Sequence, residues 1–489
     1  MSTIVNRLSV PKPRRTKIIA TVGPASRSPE KIKSLIDAGA NVFRLNFSHG
    51  SHGEHLETLK TIRRVSDECG AYSAILQDLS GPKIRITNVA GDTTQIPDGG
   101  TIQLKPAKTP DKKDELSDSK CIYVEGVDPT KILQVGHNIL LADGIIMLNV
   151  DEIKEDFVEC RVIKGGKLRS RVGIAFPDSA IDLPAATDKD LVDLAWGIKN
   201  EVDYVALSFV QNAQDIKAIR DVIHRESGNV RIIAKIERKS ALQNSFEILD
   251  SADGIMVARG DLGLELPLEQ LPMIQKQLIE EGNYRGIPVI VATQMLHSMI
   301  TSVRPTRAEV TDISAAVMGG ADALMLSEET AIGEHPVASV EYLSRIARES
   351  EKSFEFQEYK LRLRDADQQS VPDAVSYAAC AAAVKIKAAA IIVCTETGNS
   401  ARLVAKYRPQ QPLFAVSSNM RTLRRMSLCW GVIPIYSASS VDHYNETEAA
   451  LKALQSQDFL PVGSRAVITG GLAVNVPGAT SILEIREIR

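Results

Sequence analysis

The sequence predicts an α/β protein built on a (β/α)8 barrel, the TIM-barrel class, with two further domains. The first observation is that short runs of β-branched and aliphatic residues alternate with helical patterns, as in parallel sheets. The second is that eight such units, in 16–81 and 182–353, total about 240 residues, near the typical size of such a barrel. The third is a break after the third unit, where hairpin-like segments replace the alternation.

The eight predicted barrel strands end in polar or glycine-rich turns, which is how parallel strands open toward a barrel mouth. In chain order they span 16–23, 41–49, 73–81, 203–210, 230–237, 253–261, 288–295 and 321–330. A helical pattern follows each strand except the third.

The segment 82–181 interrupts the barrel and is predicted to form a small β-barrel domain. Its stretches KIRITNV, NILLADGIIMLNV and DFVECRVI are separated by Asp-Gly, Pro and Gly turns, a pattern typical of hairpins. The polar run 105–120 could be a phosphate-binding patch, but its mixed charges beside prolines favour a solvated loop.

The last part of the chain, 354–489, returns to alternating helices and strands and is predicted to be a separate α/β domain. It includes the alanine-rich helix AVSYAACAAAVKIK and aliphatic strands such as AAIIVCTETG. Residues 1–15 are predicted to form a short N-terminal arm.

The composition excludes several classes of function. Lys plus Arg number 58 against 61 Asp plus Glu, so the net charge of −3 argues against a nucleic-acid partner held by phosphate contacts. No run approaches the roughly 18 apolar residues of a membrane helix, and the N-terminus has no apolar core before a cleavage site. We therefore expect a cytoplasmic protein without a membrane partner. Its six cysteines are too widely spaced for a zinc knuckle or a CxxC pair.

Polar and charged residues gather at the ends of the predicted barrel strands, where barrels of this class hold their reacting groups. They are Arg44, Asn46, Ser48, His49, Asp78, Arg85, Lys235, Glu237, Asp261, Thr293, Ser327, Glu328 and Glu329. This distribution predicts an active site at the barrel mouth.

The motif AKIE places Lys235 and Glu237 two residues apart, so both side chains project from the same face of a strand. A buried ion pair is one interpretation. Asp261, in the turn ARGDLG of the next strand, favours another, because two carboxylates beside an ammonium group suit Mg²⁺ and a phosphorylated ligand. A helix starting at or just after Asp261 would point free N–H groups at an anionic carboxylate, and Gly260 would allow close approach.

The phosphate groups of a nucleotide must be held by arginines and metal, because neither GxxxxGK[ST] nor GxGxxG occurs in the chain. His49, His52 and His55 form HxxHxxH, which lacks the i, i+4 spacing of a helical zinc site. We expect His49 beside a nucleotide instead.

Long motifs in the sequence resemble one family, the pyruvate kinases, nearly from end to end. They are KIIATVGPAS, NVFRLNFSHG, LQDLSGPKIR, DLPAATDKD, IIAKIE, DGIMVARGDLGLELP, VATQML and RPTRAEVTDISAAVMGGADALMLSEETA. The resemblance implies a glycolytic enzyme that transfers the phosphoryl group of phosphoenolpyruvate to ADP, giving pyruvate and ATP, with Mg²⁺ or alternatively Mn²⁺. It also implies that the inserted domain is a lid and the C-terminal domain regulatory.

The resemblance implies roles for the residues at the mouth. Glu237 and Asp261 match the metal ligands, and Lys235 and Arg44 match the cations that hold the transferring phosphoryl group. The backbone around Gly260 and Asp261 matches the carboxylate site. Thr293 matches the residue implicated in protonating the enolate, through a relay that could include Ser327.

The nucleotide positions implied by the resemblance are Asn46, His49, Arg85 and Arg171. The motif SRVG departs from many relatives, because valine follows Arg171 where a second basic residue is common.

A second departure concerns the monovalent cation. Potassium-dependent members carry GPEIR and bind the ion through oxygens that match Asn46, Ser48, Asp78 and the carbonyl of residue 79. This chain has GPKIR with Lys83, and Leu79 where threonine is common. An ammonium group there would supply the positive charge and repel the ion. The sequence therefore predicts activity without potassium.

The turn TETGNS in the last domain suits an effector phosphate or is a plain strand-to-helix turn. Its candidate effector residues are Thr395, Glu396, Thr397, Asn399 and Ser400. Glu396 stands where some relatives use lysine for fructose 1,6-bisphosphate, so a sugar monophosphate or AMP is the expected activator. The resemblance also implies a homotetramer.

Two other functions stay open at this point. A Mg²⁺-dependent lyase of the phosphoenolpyruvate/pyruvate barrel class, such as an aldolase, would use a similar mouth without a nucleotide lid. An inactive sensor would have lost a key residue, whereas Arg44, Lys235, Glu237, Asp261 and Thr293 are all present.

Overall fold

The computed structural model describes most of the chain. The described residues are 14–108, 115–179, 181, 183–356, 370–438, 443–471 and 480–489. Most of the predicted arm, and 109–114 of the polar run, lie outside them.

Eight parallel strands close into a barrel in chain order, the last pairing with the first. They are Lys17–Thr21, Val42–Asn46, Ala74–Asp78, Tyr204–Leu207, Arg231–Ile236, Gly254–Ala258, Val289–Ala292 and Ala323–Leu326. Most of their residues are buried, because one face fills the barrel interior and the other lies under helices. The predicted barrel and all eight of its strands are confirmed.

The helices of the barrel layer begin with strong local signals. Four of them begin with a capping box, in which the side chain of the cap residue accepts a hydrogen bond from the backbone amide three residues later. The cap residues are Ser51, Thr187, Asn212 and Thr306. The α-helices are Pro29–Ala38, His52–Glu68, Asp188–Lys199, Ala213–Arg225, Lys239–Gln243, Ser245–Ser251, Arg259–Glu265, Leu271–Arg285, Arg307–Met318, Glu328–Ala331 and Pro336–Glu351, with 3₁₀ turns at Leu268–Gln270 and His297–Ile300.

The insertion leaves the barrel at Gly81, whose φ of +65° and contact with Ser208 leave no room for a side chain. A seven-stranded sheet and a two-stranded sheet share one apolar core there. The first contains Arg85–Ile86, Thr101–Pro106, Cys121–Glu125, Asn138–Leu141, Ile146–Ile153, Val158–Lys164 and Ile174–Ala175, the second Thr93–Ile96 and Gly166–Arg169, and a short helix spans Pro129–Ile132. The predicted β insertion is confirmed.

The C-terminal domain is a five-stranded sheet with helices, as predicted. In sheet order the strands are Val432–Tyr436, Leu413–Ser417, Ala390–Cys394, Arg465–Gly471 and Thr480–Glu487, and the last is antiparallel. The helices are Val371–Lys385, Asn399–Lys406, Met420–Met426 and His443–Gln455. Within the described residues, no helix is long and apolar enough to cross a membrane.

The C-terminal domain packs against the base of the barrel, the end opposite the mouth. Arg408 pairs with Asp322 at 2.9 Å, and Lys17 Nζ donates to the Val432 carbonyl at 2.7 Å. The exact domain boundaries given above stay predictions.

Candidate active site at the barrel mouth

Four charged side chains from three barrel strands meet at the mouth. Arg44 Nε donates to Asp78 Oδ2 at 2.6 Å, and Lys235 Nζ lies 3.3 Å from Asp78 Oδ1. Lys235 also lies 2.9 Å from Glu237 Oε1, which confirms that these two side chains share a face. The carboxylates of Asp78 and Glu237 are at most 2% exposed, whereas Arg44 and Lys235 are each 12% exposed. The cations therefore line the open side of the cluster.

The electrostatics of this cluster keep Lys235 charged. Burial disfavours the ammonium group, but Asp78 and Glu237 together raise the pKa of Lys235 well above its ordinary value. Burial also opposes ionisation of Asp78, yet Lys235 and Arg44 lower the pKa of Asp78. Burial and the neighbouring Asp261 raise the pKa of Glu237. A cation between Glu237 and Asp261 would relieve that repulsion.

Asp261 lies in the first turn of the helix Arg259–Glu265. The predicted start at or after Asp261 is therefore wrong by two residues, because Arg259 is already helical. Lys83, from the start of the insertion, donates from Nζ to Asp261 Oδ1 at 2.9 Å. This ion pair joins the insertion to the barrel, and no local sequence pattern predicts it.

Two carboxylates make an incomplete metal site. Glu237 and Asp261 line the same cavity, and among the described residues no group of three or more His, Cys, Asp or Glu side chains could hold an ion. Mg²⁺ commonly takes one or two protein carboxylates and completes its octahedron with water and substrate oxygens. The donor set fits that cation if a substrate supplies the remaining oxygens.

Thr293 has an unusual backbone, with a φ of +72° that is strained for a β-branched residue. Its Oγ1 donates to the Ala292 carbonyl at 2.6 Å and accepts from the Gly260 amide at 2.8 Å. Arg259 holds this turn, donating to the Thr293 carbonyl at 2.7 Å while it pairs with Asp312. The Gly260 amide predicted for a substrate carboxylate thus contacts the Thr293 hydroxyl.

A cleft of about 1540 Å³ runs between the barrel mouth and the insertion. Thr293 and Ser327 both line it from the barrel side, and Asn138 and Asp143 line it from the insertion. Ser327 is positioned by Glu329, whose Oε2 accepts the Ser327 amide at 2.7 Å. A second cavity, of about 560 Å³, adjoins the first at Lys83 and Asp261. The insertion therefore covers the space that Thr293 and Ser327 line.

Comparison with known proteins decides the family. Residues 13–340 match the family model for the pyruvate kinase barrel domain, and 373–486 match the model for the pyruvate kinase alpha/beta domain. The chain belongs to the pyruvate kinase family. It is similar to pyruvate kinase 2 of Synechocystis sp., 41% identical over 486 residues, which cover 98% of this chain and 80% of the relative. It is also similar to the pyruvate kinase of Sporosarcina psychrophila, 40% identical over 480 residues, which cover 97% and 80%.

Family membership makes the chain a phosphotransferase and favours this function over the lyase and the sensor. The family also implies dependence on a divalent metal and phosphoenolpyruvate, ADP, ATP and pyruvate as substrates and products.

The family's nucleotide positions fall into two groups here. Asn46 and His49 lie in the loop after the second strand, where the Ser48 amide donates to Asn46 Oδ1 at 3.1 Å. Arg85 Nη1 donates to the Arg171 carbonyl at 3.0 Å in the insertion. Arg171 has a φ of +58° and pairs with Glu125 at 3.3 Å. The insertion thus contributes two basic residues, Arg85 near its start and Arg171 near its end, and the two are in contact.

The residues of the monovalent-cation site are only partly brought together. Asn46, Ser48 and Asp78 follow or end neighbouring strands, and the Leu79 carbonyl accepts from Ser208 Oγ at 2.8 Å. The ammonium group of Lys83 contacts Asp261 rather than Asp78. The cations that contact Asp78 are Arg44 and Lys235.

The candidate effector turn joins the strand Ala390–Cys394 to the helix Asn399–Lys406. Thr395 Oγ1 accepts from the Gly398 amide at 3.0 Å, and Ser400 Oγ lies 2.5 Å from Thr480 Oγ1. Both hydroxyl groups therefore stabilise the turn itself. Glu396 Oε1 accepts from Asn419 Nδ2 at 3.3 Å.

Sequence reasoning missed two polar groups at strand ends. Ser208, directly after the fourth strand, accepts from Lys235 Nζ at 2.7 Å. Thr21, the last residue of the first strand, accepts from Arg44 Nη1 at 3.1 Å. The strand-end rule that selected the other residues would have found both, because the same rule applies to all eight strands.

Proposed function

We propose that the chain catalyses phosphoryl transfer from phosphoenolpyruvate to ADP, giving pyruvate and ATP, with Mg²⁺ or Mn²⁺. The observation that carries the proposal is the position of Lys235. It bridges Asp78 and Glu237, stays protonated, and is 12% exposed at the mouth, where Arg44 also contacts Asp78. Phosphoryl transfer spreads negative charge over equatorial oxygens, so fixed cations stabilise its transition state.

Arg44 and Lys235 are the groups proposed to hold the phosphoryl oxygens. Asp78 fixes both cations from the buried side, and both stay partly exposed toward the mouth. Glu237 and Asp261 are the proposed metal ligands, and the bound cation would neutralise phosphoryl and enolate oxygens. The turn at Gly260 and Asp261 would receive the substrate carboxylate.

The enolate left after transfer must gain a proton at carbon. Thr293 and Ser327 line the cleft, and the Thr293 hydroxyl already has an acceptor and a donor. An alcohol is a weak acid at neutral pH, so the proposal gives Thr293 a role in passing a proton from water. Asn46, His49, Arg85 and Arg171 are proposed for ADP, with the insertion closing as a lid that excludes water.

Independence from potassium remains part of the proposal, with a revised role for Lys83. Its ammonium group is held 2.9 Å from Asp261, so it adds positive charge to the mouth without contacting Asp78. If Asp261 bound a divalent metal, the Lys83 ammonium group would have to leave Asp261, and the cavities that Lys83 lines offer room for it. The positive charge of Lys83 would then replace that of potassium at the mouth. No potassium ion would be needed at the site formed by Asn46, Ser48, Asp78 and the Leu79 carbonyl.

Regulation and assembly complete the proposal. A sugar monophosphate or AMP would bind Thr395, Glu396, Thr397, Asn399 and Ser400 and activate the enzyme, which would work as a cytoplasmic homotetramer. The arm 1–15, the barrel 16–81 with 182–353, the lid 82–181 and the effector domain 354–489 are the proposed domains.

The test is release of pyruvate and ATP from phosphoenolpyruvate, ADP and Mg²⁺, with and without KCl at constant ionic strength. Equal amounts of the two products in both buffers are expected. A rise of more than about tenfold on adding KCl, about 1.4 kcal/mol in the barrier, would contradict potassium independence alone. Pyruvate formed without ADP, or no pyruvate at all, would contradict the kinase.

A further inference from the structure

The turn directly after the fourth barrel strand has a strained backbone at Phe209. Its φ is +57°, in the left-handed region that bulky side chains rarely adopt. Among the non-glycine residues with positive φ in the described part of the chain, Phe209 is the one with an aromatic ring. Such a conformation persists only where the surrounding structure holds it, and it is typical of functional sites.

The strained residue presents its backbone amide to Glu237. The Phe209 N–H donates to Glu237 Oε2 at 2.7 Å, and the other carboxylate oxygen, Oε1, lies 2.9 Å from Lys235 Nζ. The angle φ sets the rotation between the amide and the rest of the residue. A negative φ would therefore prevent the amide and the ring of Phe209 from both keeping their present positions.

The residue before Phe209 contacts the ion-pair partner of Glu237. Ser208 Oγ accepts from Lys235 Nζ at 2.7 Å and donates to the Leu79 carbonyl at 2.8 Å. Two consecutive residues of one turn thus hold the two side chains that share a face of the fifth strand. This turn therefore orients both groups of the AKIE motif.

The ring of Phe209 is held where the insertion joins the barrel. A β-carbon placed on Gly81, directly before the insertion, would lie 3.0 Å from ring carbon Cδ2, so the glycine backbone packs closely on the ring. The Arg238 guanidinium group lies over the ring, 5.2 Å from its centroid, and donates to the Ile181 carbonyl at 3.5 Å. Contacts at both ends of the insertion therefore hold the strained residue in place.

We propose that Phe209 is a positioning residue for Glu237, because its clamped ring fixes a backbone conformation that aims the amide at this carboxylate. Carboxylates that bind metals are usually hydrogen-bonded in turn, and loss of such a partner lowers metal affinity by about 10–100-fold. The inference rests on the proposed role of Glu237 as a metal ligand. It extends that proposal to a residue that acts through Glu237 and supplies no ligand atom of its own.

The test measures binding of Mn²⁺ to the full chain without substrates, by electron paramagnetic resonance of the free ion. Phe209→Ala removes the ring, and alanine disfavours positive φ, so the amide should turn away and the dissociation constant should rise by about tenfold or more. Phe209→Gly also removes the ring, but glycine adopts positive φ readily and should retain most of the affinity.

The order of these two variants separates positioning from packing, since both lack the ring. A loss of affinity in Phe209→Gly equal to or greater than that in Phe209→Ala overturns the proposal, and so does unchanged affinity in Phe209→Ala. Should Phe209→Ala fold poorly, Phe209→Ser and Phe209→Asn give the same comparison, because asparagine is enriched at positive φ. The asparagine variant should bind Mn²⁺ more tightly, and equal affinities would overturn the proposal.

Ser227 offers a matched control at the base of the barrel. It is exposed, has a φ of +53°, and lies between the helix Ala213–Arg225 and the fifth strand. Ser227→Ala and Ser227→Gly repeat the same pair of substitutions away from the mouth, so their Mn²⁺ affinities should equal that of wild type. A difference as large as the one at Phe209 would contradict a local effect on Glu237.

Glu237→Gln distinguishes failure of this inference from failure of the proposed function. It should weaken Mn²⁺ binding at least as much as Phe209→Ala does, because it removes the charge of a proposed ligand. Wild-type affinity in Glu237→Gln would overturn both the ligand and its positioning residue. Weak binding in Glu237→Gln with wild-type affinity in Phe209→Ala would overturn the role of Phe209 alone.

Discussion

At the mouth of the barrel Asp78 is buried between Arg44 and Lys235, and at the base Asp322 is buried against Arg408. The two clusters use the same chemical groups. They differ in what remains available to a ligand. Arg44 and Lys235 are each 12% exposed, whereas Arg408 is 1% exposed.

The base cluster is enclosed by the protein itself. Asp322 accepts from Arg408, from the Val289 amide at 3.1 Å and from the Trp430 amide at 3.2 Å. Arg408 also stacks over the Trp430 ring, 4.9 Å from its centroid. In this chain, a buried ion pair therefore marks a candidate reaction site where its cations stay partly exposed. Four experiments sharpen this comparison.

The largest effect is expected from Lys235→Met at the mouth. Loss of the bridging cation should lower turnover by about 10³-fold or more, because a preorganised charge on the transferring group is removed. Pyruvate release under saturating substrates measures it, and Lys33→Met, on an exposed helix face, is the control. Turnover within tenfold of wild type would refute the role of Lys235.

Arg408→Met at the base should instead lower stability by about 3–5 kcal/mol, because it leaves Asp322 buried without its charge partner. The shift of the denaturation midpoint measures this loss, and Arg421→Met should change it by about 0–1 kcal/mol as an exposed pair. Turnover per folded molecule should stay near wild type. An unchanged midpoint would show that the base cluster is not structural.

Lys17 gives the base a pH dependence in the alkaline range. Burial and Arg14 lower the pKa of Lys17 to about 8 from 10.5, so the unfolded chain binds this proton more tightly. Stability should therefore rise by about 2 kcal/mol between pH 8 and pH 10. Denaturation midpoints across this range test it. The Lys17→Met variant should show a flatter profile, and an identical slope would contradict the assignment.

The smallest effect concerns Lys83. In Lys83→Glu the mouth loses its added cation and gains a carboxylate beside Asp261, so activity should become at least about tenfold dependent on KCl. Lys83→Met separates loss of charge from gain of charge. Mn²⁺ affinity, measured without substrates, should rise in Lys83→Met because the competing ammonium group is gone. Potassium-independent turnover in Lys83→Glu would show that Lys83 does not replace potassium.

Much of this organisation could be predicted from the sequence. All eight barrel strands were predicted, because buried parallel strands read as continuous aliphatic runs between helical patterns. The shared face of Lys235 and Glu237 followed from their spacing of two. These are local rules that need no knowledge of the partner strands.

Contacts between distant segments could not be predicted in this way. Lys83 and Asp261 are 178 residues apart, and their pairing depends on how the insertion folds back over the mouth. The start of the helix at Arg259 was also missed, because its cap residue Ala258 makes no side-chain hydrogen bond that would mark it.

The enclosed base cluster also affects when the barrel can close during synthesis of the chain. Asp322 emerges from the ribosome with the eighth strand, but its partners Arg408 and Trp430 follow 86 and 108 residues later. At about 5–20 residues per second this delay is roughly 5–20 s. During that interval all eight strands are available while the carboxylate beneath them lacks Arg408, so barrel closure should be completed only as the C-terminal domain arrives.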